Sequence, residues 1–170
     1  KTGTLTKNEM TVRKVYANGR IVDVSGRGYE LKGEFTSEGK KIDVKDLKLI
    51  LTIGSLNNNS VLENLVGDPT EIALLVSAEK AKLSRKDLDK NFPRVDEVLF
   101  TSERKMMTTV HQVRTKDFSK SRVAYVKGAT EIVLALCTRI YENGRIRTIS
   151  TADKKKIHET NEKYAGGALR

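Results

Sequence analysis

One cysteine, Cys137, stands in the whole chain, so neither an intramolecular disulfide nor a cysteine-based zinc cluster can form. Two histidines, His111 and His158, lie far apart in sequence, and no metal centre is expected from them. Tryptophan is absent, and four Phe and five Tyr are scattered without the aromatic-rich strand motifs that stack bases in RNA-binding sheets. No apolar run approaches the roughly 20 residues of a membrane-crossing helix, and no signal-peptide pattern heads the chain, so a soluble domain is expected. The Gly-x-x-x-x-Gly-Lys-Ser/Thr pattern is missing too, which removes the ordinary P-loop route to nucleotide phosphates.

What is present is charge. With 170 residues, 38% of them hydrophobic, the chain is long enough for one domain with a real core. Its net charge of +10 suits a polyanionic ligand: nucleotide phosphates, nucleic acid or an anionic membrane face. Basic residues are interleaved with acids, and a short run such as Lys154-Lys155-Lys156 reads as a solvated helix face. A basic nucleic-acid-binding module is the alternative that charge alone leaves open.

Periodicity divides the chain without a linker. Met10 to Ala17 alternates as a strand, Asn18-Gly19 is a two-residue hairpin signal, and Arg20 to Ser25 returns as its partner. Gly26, Gly28, Gly33 and Gly39 mark loop with short extended pieces; their spacing is not that of the dinucleotide fingerprint. Asp43 caps a helix with Val44, Leu47, Ile50, Leu51 and Ile53 at helical spacing, and Asn57-Asn58-Asn59-Ser60 is a polar loop. Asp68, Pro69 and Glu71 compose a capping box for a helix carrying Ile72, Leu75 and Val76.

A charged helical turn from Ser84 to Lys90 follows, then extended segments at 94–100, 106–113 and 123–126, which predict an antiparallel sheet. The spacing predicts a helix over 130–136, a hairpin over 139–149 turning at Asn143-Gly144, and a polar helix over 150–164 with Ser150 and Asp153 in cap positions. Tyr16 to Ile21 and Tyr141 to Ile146 share the pattern Tyr-x-Asn-Gly-Arg-Ile, which reads as like hairpin chemistry in unlike surroundings. The expected fold class is α+β, an antiparallel β-sheet flanked by helical pairs.

Four stretches carry chemistry. Lys1-Thr2-Gly3-Thr4-Leu5-Thr6 combines a point charge, hydroxyls and close backbone approach, a set suited to phosphate but without a good phosphoryl acceptor. Gly67 to Glu71 opens a helix, Phe100-Thr-Ser-Glu-Arg-Lys-Met-Met107 follows a strand, and Lys127-Gly128-Ala129-Thr130-Glu131 joins a strand to a helix. A Phe leaving a strand presents a ring face on which a base can stack, although the same residue could close a core. Lys127 beside two small residues has room for a base or sugar, although alone it would read as a surface lysine.

In this order and spacing the four stretches, with Ala168-Leu169-Arg170 as the start of a next segment, resemble the nucleotide-binding domain of the P-type ATPases. The Phe-x-Ser-x-Arg-Lys-x-Met form is most similar to the calcium-pump branch. The resemblance implies that an Asp just before Lys1 accepts the γ-phosphate of ATP in an intact pump that uses Mg2+. It implies that residues 1–8 are the remnant of the phosphorylation loop and hinge, and 9–170 a nucleotide-binding domain incomplete at its C-terminus. No catalytic residue and no metal ligand is then expected within the chain, which would hold nucleotide without turning it over.

The implied ATP-binding set is Glu71, Phe100, Arg104, Lys105, Met107, Lys127, Gly128, Ala129 and Arg170, with Lys1, Thr2, Gly3 and Thr4 as the loop remnant. Phe100 stacks on adenine, Met107 packs against it, Glu71 accepts from its amino group, and Lys105 and Arg104 meet phosphate. Some calcium pumps carry Arg where this chain has Ser102, so one phosphate contact is missing. The implied partners are the phosphorylation and actuator domains and transmembrane helices of a parent pump, with the chain a monomeric cytoplasmic domain of an integral membrane protein that does not bind nucleic acid.

Overall fold

The computed structural model describes residues 9–114 and 121–169. The phosphorylation-loop remnant (Lys1 to Thr4) and Arg170 lie outside them.

The Asn-Gly signals act as predicted. β1 (Lys14–Ala17) and β2 (Arg20–Val24) pair antiparallel with Val15 opposite Val22. Asn18 and Gly19 between them have φ of 51° and 70°, the conformation that matches a hairpin turn to strand twist. β3 (Phe35–Ser37) and β4 (Lys40–Lys41) extend the sheet from within the glycine-punctuated region.

Asp43 accepts from the Lys45 N–H at 2.9 Å, but what it caps is a 3-10 turn over Val44–Leu47; α1 (Lys48–Leu56) starts only after it. The tighter turn alters the phase of the apolar residues. Leu47, Leu51 and Leu56 are buried, whereas Ile50, placed by spacing on the same face, is 43% exposed. With Val15, Val22, Val24, Phe35 and Ala81, Leu47 and Leu51 make one core cluster.

α2 (Pro69–Lys80) starts as predicted, with Asp68 accepting from the N–H groups of Thr70 and Glu71 and Pro69 at the first position. α3 (Arg85–Asn91) is short. β5 (Arg94–Val98), β6 (Met106–Gln112) and β7 (Arg122–Gly128) then form the expected antiparallel sheet, Met107 facing Lys127 in register. β6 alternates cleanly, burying Met107, Thr109 and His111, and Tyr125 of β7 joins Leu56 and Leu88 in a second core cluster.

α4 (Thr130–Leu136) leads to the hairpin β8 (Arg139–Glu142) and β9 (Arg145–Thr148) and to α5 (Thr151–Gly166). Ser150 and Asp153 make the reciprocal capping box of α5. The chain is thus α+β, with its antiparallel strands distributed over three sheets among the described residues rather than gathered in one. The two Tyr-x-Asn-Gly-Arg-Ile hairpins belong to different sheets, yet their tips meet: the Asn143 N–H donates to Asn18 Oδ1 at 2.9 Å.

His111 sits at the centre of this packing with no exposed surface. Its Nδ1 lies 2.8 Å from the Phe92 carbonyl, which can only accept, so Nδ1 carries the proton and Nε2 accepts from Thr109 Oγ1 at 2.9 Å. Burial depresses its pKa below the ordinary 6.5; the Phe92 carbonyl opposes that, Arg94 and Arg85 add to it, and Asp89 opposes it. The folded state prefers neutral His111, so this contribution to stability is complete above the unfolded value and is lost as pH falls from about 6.5 toward the folded pKa. Urea unfolding at pH 7.5 and 5.5 should therefore give lower stability at the acid value. His111→Gln should flatten that difference while lowering stability at both.

Candidate nucleotide site

Glu71 emerges from the first turn of α2 and Lys127 from the end of β7, and they meet with Lys127 Nζ 2.6 Å from Glu71 Oε1. Their side chains keep only 15% and 27% of their exposure. Glu71 Oε2 accepts from the Asn59 N–H at 2.9 Å and from Ser60 Oγ at 3.0 Å. The capping box suggested by sequence is therefore half present: Asp68 takes the cap, while the Glu71 carboxylate turns to Asn59, Ser60 and Lys127. Lys127 Nζ also donates to the Asn57 carbonyl and lies 3.6 Å from Met107 Sδ.

The charges of the pair are unequal in their surroundings. Burial by itself would raise the Glu71 pKa, but hydrogen bonds from Lys127, Asn59 and Ser60 and the Lys127 charge outweigh it and hold the carboxyl below its usual range. For Lys127 burial wins: it pushes the ammonium pKa down, Glu71 offsets only part of this, and Arg94 adds repulsion. The asymmetry follows from the partners. The carboxylate receives two N–H or O–H donors beyond the ammonium, whereas the ammonium has only a neutral carbonyl and a thioether beyond the carboxylate.

Lys105 and Gly128 come together through the backbone. Ala129 N–H donates to the Lys105 carbonyl at 2.9 Å, and Met106 faces Gly128 in register. A Cβ on Gly128 would stand 2.4 Å from that carbonyl and 2.7 Å from Met106 Cα, so only glycine lets β6 and β7 approach this closely. Lys105 itself ends a turn over 101–105, closed by its N–H on the Thr101 carbonyl at 2.8 Å, with a left-handed φ of 51°.

Arg104 is folded across the same turn, its guanidinium donating to the Leu99 carbonyl at 3.2 Å and to Thr108 Oγ1 at 3.3 Å. Phe100 stands at the exit of β5, 59% exposed, two residues beyond Val98, whose register partner is Thr108. Met107 is only 3% exposed and lies under Lys127. Lys127 thus touches both Glu71 and Met107, Lys105, Gly128 and Ala129 join them through the β6–β7 end, and Phe100 and Arg104 belong to the loop leading into β6.

Sequence reading missed four residues that hold this arrangement: Asn57, Asn59, Ser60 and Arg94. The three loop residues look like an ordinary polar connection, although Asn57, Asn58 and Ser60 are buried. Asn57 Nδ2 donates to the carbonyls of Met107 at 3.0 Å and Tyr125 at 2.8 Å. A consecutive Asn-rich run just before a capped helix is the sole local signal of that role.

Clefts also lie around the outer side of α1. One of about 810 Å3 is lined by Lys48, Leu49, Phe92, Tyr125 and Tyr141 among others. Among the described residues no cluster of three or more His, Cys, Asp or Glu could hold a metal ion, and no helix is long and apolar enough to cross a membrane.

An acidic acceptor thus stands beside a desolvated ammonium at the end of two strands that glycine lets approach closely. The chain belongs to the P-type ATPases: residues 46–170 match the family model described as "P-type ATPase, cytoplasmic domain N". It is 38% identical over 179 residues to the "Calcium-transporting ATPase" of Bacillus subtilis (strain 168), a match covering 100% of this chain and 20% of that protein. It is 40% identical over 185 residues to the "Cation-transporting ATPase pma1" of Synechocystis sp. (strain ATCC 27184 / PCC 6803 / Kazusa), covering 100% of the chain and 19% of the relative. With the human "Calcium-transporting ATPase type 2C member 2" it shares 34% over 174 residues, covering 98% of the chain and 18% of the relative. These names agree with the calcium-pump branch that the Phe100 to Met107 stretch resembles. The chain spans about a fifth of the length of the curated relatives it matches.

Removing the ammonium tests the electrostatic account. In Lys127→Ala the Glu71 carboxyl keeps most of its burial but loses a donor and a charge, so its pKa should rise above the wild-type value in a 13C-detected carboxylate titration. Stability should fall by about 1–3 kcal/mol, the scale of leaving a partly buried charged acceptor short of a partner.

Proposed function

We propose that this chain binds ATP through a pocket formed by Glu71, Phe100, Lys105 and Lys127, as the nucleotide-binding domain, residues 9–170, of an ion-translocating P-type ATPase. The observation that carries the reading is the Glu71–Lys127 contact at 2.6 Å, which unites two residues 56 positions apart in a half-buried acceptor and donor. Glu71 accepts from the adenine amino group, and Lys127 donates to the base or sugar in the space left by Gly128 and Ala129. Phe100, exposed on its loop, offers a ring for stacking, while Met107 underlies Lys127.

Lys105, together with Arg104 and Arg170, meets the ribose or phosphates. In this reading Mg2+ is held by the phosphates and by the remainder of the pump; among the described residues no group of three or more His, Cys, Asp or Glu could hold a metal ion. In the intact protein the γ-phosphate passes to an Asp preceding Lys1, Lys1 to Thr4 belonging to that loop, and turnover is coupled to transport of calcium or another cation. The phosphorylation and actuator domains and the transmembrane helices are the partners. In this reading the residues of this chain bind and orient the nucleotide, and the phosphoryl acceptor is the preceding Asp.

Adenine-centred binding and polyphosphate binding respond differently to change. In a nucleotide titration followed by NMR shifts, Phe100→Ala with Lys127→Ala should weaken ATP binding at least about tenfold, because one stacked base alone is worth roughly 1–3 kcal/mol. Wild-type-like binding by the double variant would refute the pocket. Affinity for ATP should fall only modestly between 50 and 200 mM salt; a fall of several decades, with comparable binding of oligonucleotides, would favour a nucleic-acid module instead.

A further inference from the structure

Helix α1 ends in a place where its unpaired carbonyls cannot reach water. The last carbonyls of any helix lack partners within it, and here Leu56 and Asn57 are fully buried and Asn58 is 1% exposed. Arg94, at the start of β5, answers the last of them and one carbonyl beyond the helix. Its Nη2 donates to the Leu56 carbonyl at 2.9 Å and to the Asn58 carbonyl at 2.6 Å, and its Nη1 donates to Asn59 Oδ1 at 2.6 Å and to Glu97 Oε2 at 2.9 Å.

The carbonyl between those two is that of Asn57, and it is the one that accepts from Lys127. Asn59, whose side chain Arg94 grips, gives its backbone N–H to Glu71. One guanidinium therefore brackets the acceptor of the site's ammonium and holds the residue that donates to the site's carboxylate.

We propose that Arg94 is a positioning residue for nucleotide binding: it touches no ligand, but its planar fork fixes residues 56–59 so that the Asn57 carbonyl and the Asn59 N–H set where Lys127 and Glu71 stand. This rests on the reading of Glu71 and Lys127 as the nucleotide site. Lysine cannot replace it, because an ammonium is a point charge without two parallel donor edges to bridge Leu56, Asn58 and Asn59. Arg94 has a second, opposite influence, since its positive charge disfavours the protonated form of Lys127. The charged groups facing Lys127 are Glu71, Arg94 and Asp68, the first and last favouring its protonated form.

These two influences separate positioning from mere support of the fold. Arg94→Lys, Arg94→Gln and Asn59→Ala are made in the 170-residue chain, and folding is confirmed from backbone amide spectra. ATP binding is followed by NMR titration, and Lys127 by pH titration of its side-chain signals. Arg94→Lys and Arg94→Gln should each bind ATP about tenfold more weakly, the scale of one charge-assisted hydrogen bond. Lys127 should titrate at higher pH in Arg94→Gln, where the repelling charge is gone, than in Arg94→Lys, where it remains.

Asn59→Ala alters an exposed side chain and leaves Arg94 in place; a severalfold loss of ATP affinity is expected from it even if an Arg94 variant does not fold. Folded Arg94 variants that bind ATP like wild type would overturn the proposal, as would wild-type affinity in Asn59→Ala. Failure of the nucleotide-site reading looks different: Lys127→Ala would then bind ATP normally, while the Lys127 titration would still respond to Arg94.

Discussion

Polar backbone that is buried must be answered by hydrogen bonds, and in this protein that constraint is concentrated at residues 56–60. Leu56, Asn57, Asn58 and Ser60 are all buried, so the segment cannot behave as a solvated connection. Its partners come from every side: the Met107 and Tyr125 carbonyls take the Asn57 amide, the Gly54 and Glu71 carbonyls take the Asn58 amide, and Arg94 takes two of its carbonyls. Satisfying one turn in this way ties α1 to α2 and to the three-stranded sheet.

The chemistry of the site grows from the same turn. Glu71 and Lys127 do not simply pair; each is also anchored to it, the carboxylate by Asn59 and Ser60 and the ammonium by Asn57. At the carboxylate the Lys127, Asn59 and Ser60 contacts outweigh burial, whereas at the ammonium burial outweighs Glu71, so both pKa values lie below their ordinary ranges. The loop of Phe100 to Lys105, by contrast, is held by its own turn and by the Arg104 guanidinium, and keeps its aromatic ring exposed.

Much of the fold was legible because its signals are local. Asn18-Gly19 and Asn143-Gly144 specify tight turns by their left-handed conformations, and Ser150 and Asp153 specify a helix start by reciprocal capping. Legibility failed where phase or partners were decided at a distance. Val44 to Leu47 has helical spacing, but it forms a 3-10 turn that leaves Ile50 half-exposed. Glu71 stands where a capping box would use it, yet three groups distant in sequence claim its carboxylate.

By itself the sequence determined most of the secondary elements and, through the order of the four motifs, the family. Those depend on interactions spanning two to four residues, or on composition, and both are written along the chain. Only the tertiary structure decided that an Asn-rich loop would be buried, that Arg94 would bracket the Asn57 carbonyl, and that Met107 would lie beneath Lys127 rather than open to solvent. Burial is a property of what packs over a segment, and the demand for hydrogen-bond partners follows from burial. A polar run therefore reads the same whether it ends as a solvated turn or as the frame of a site.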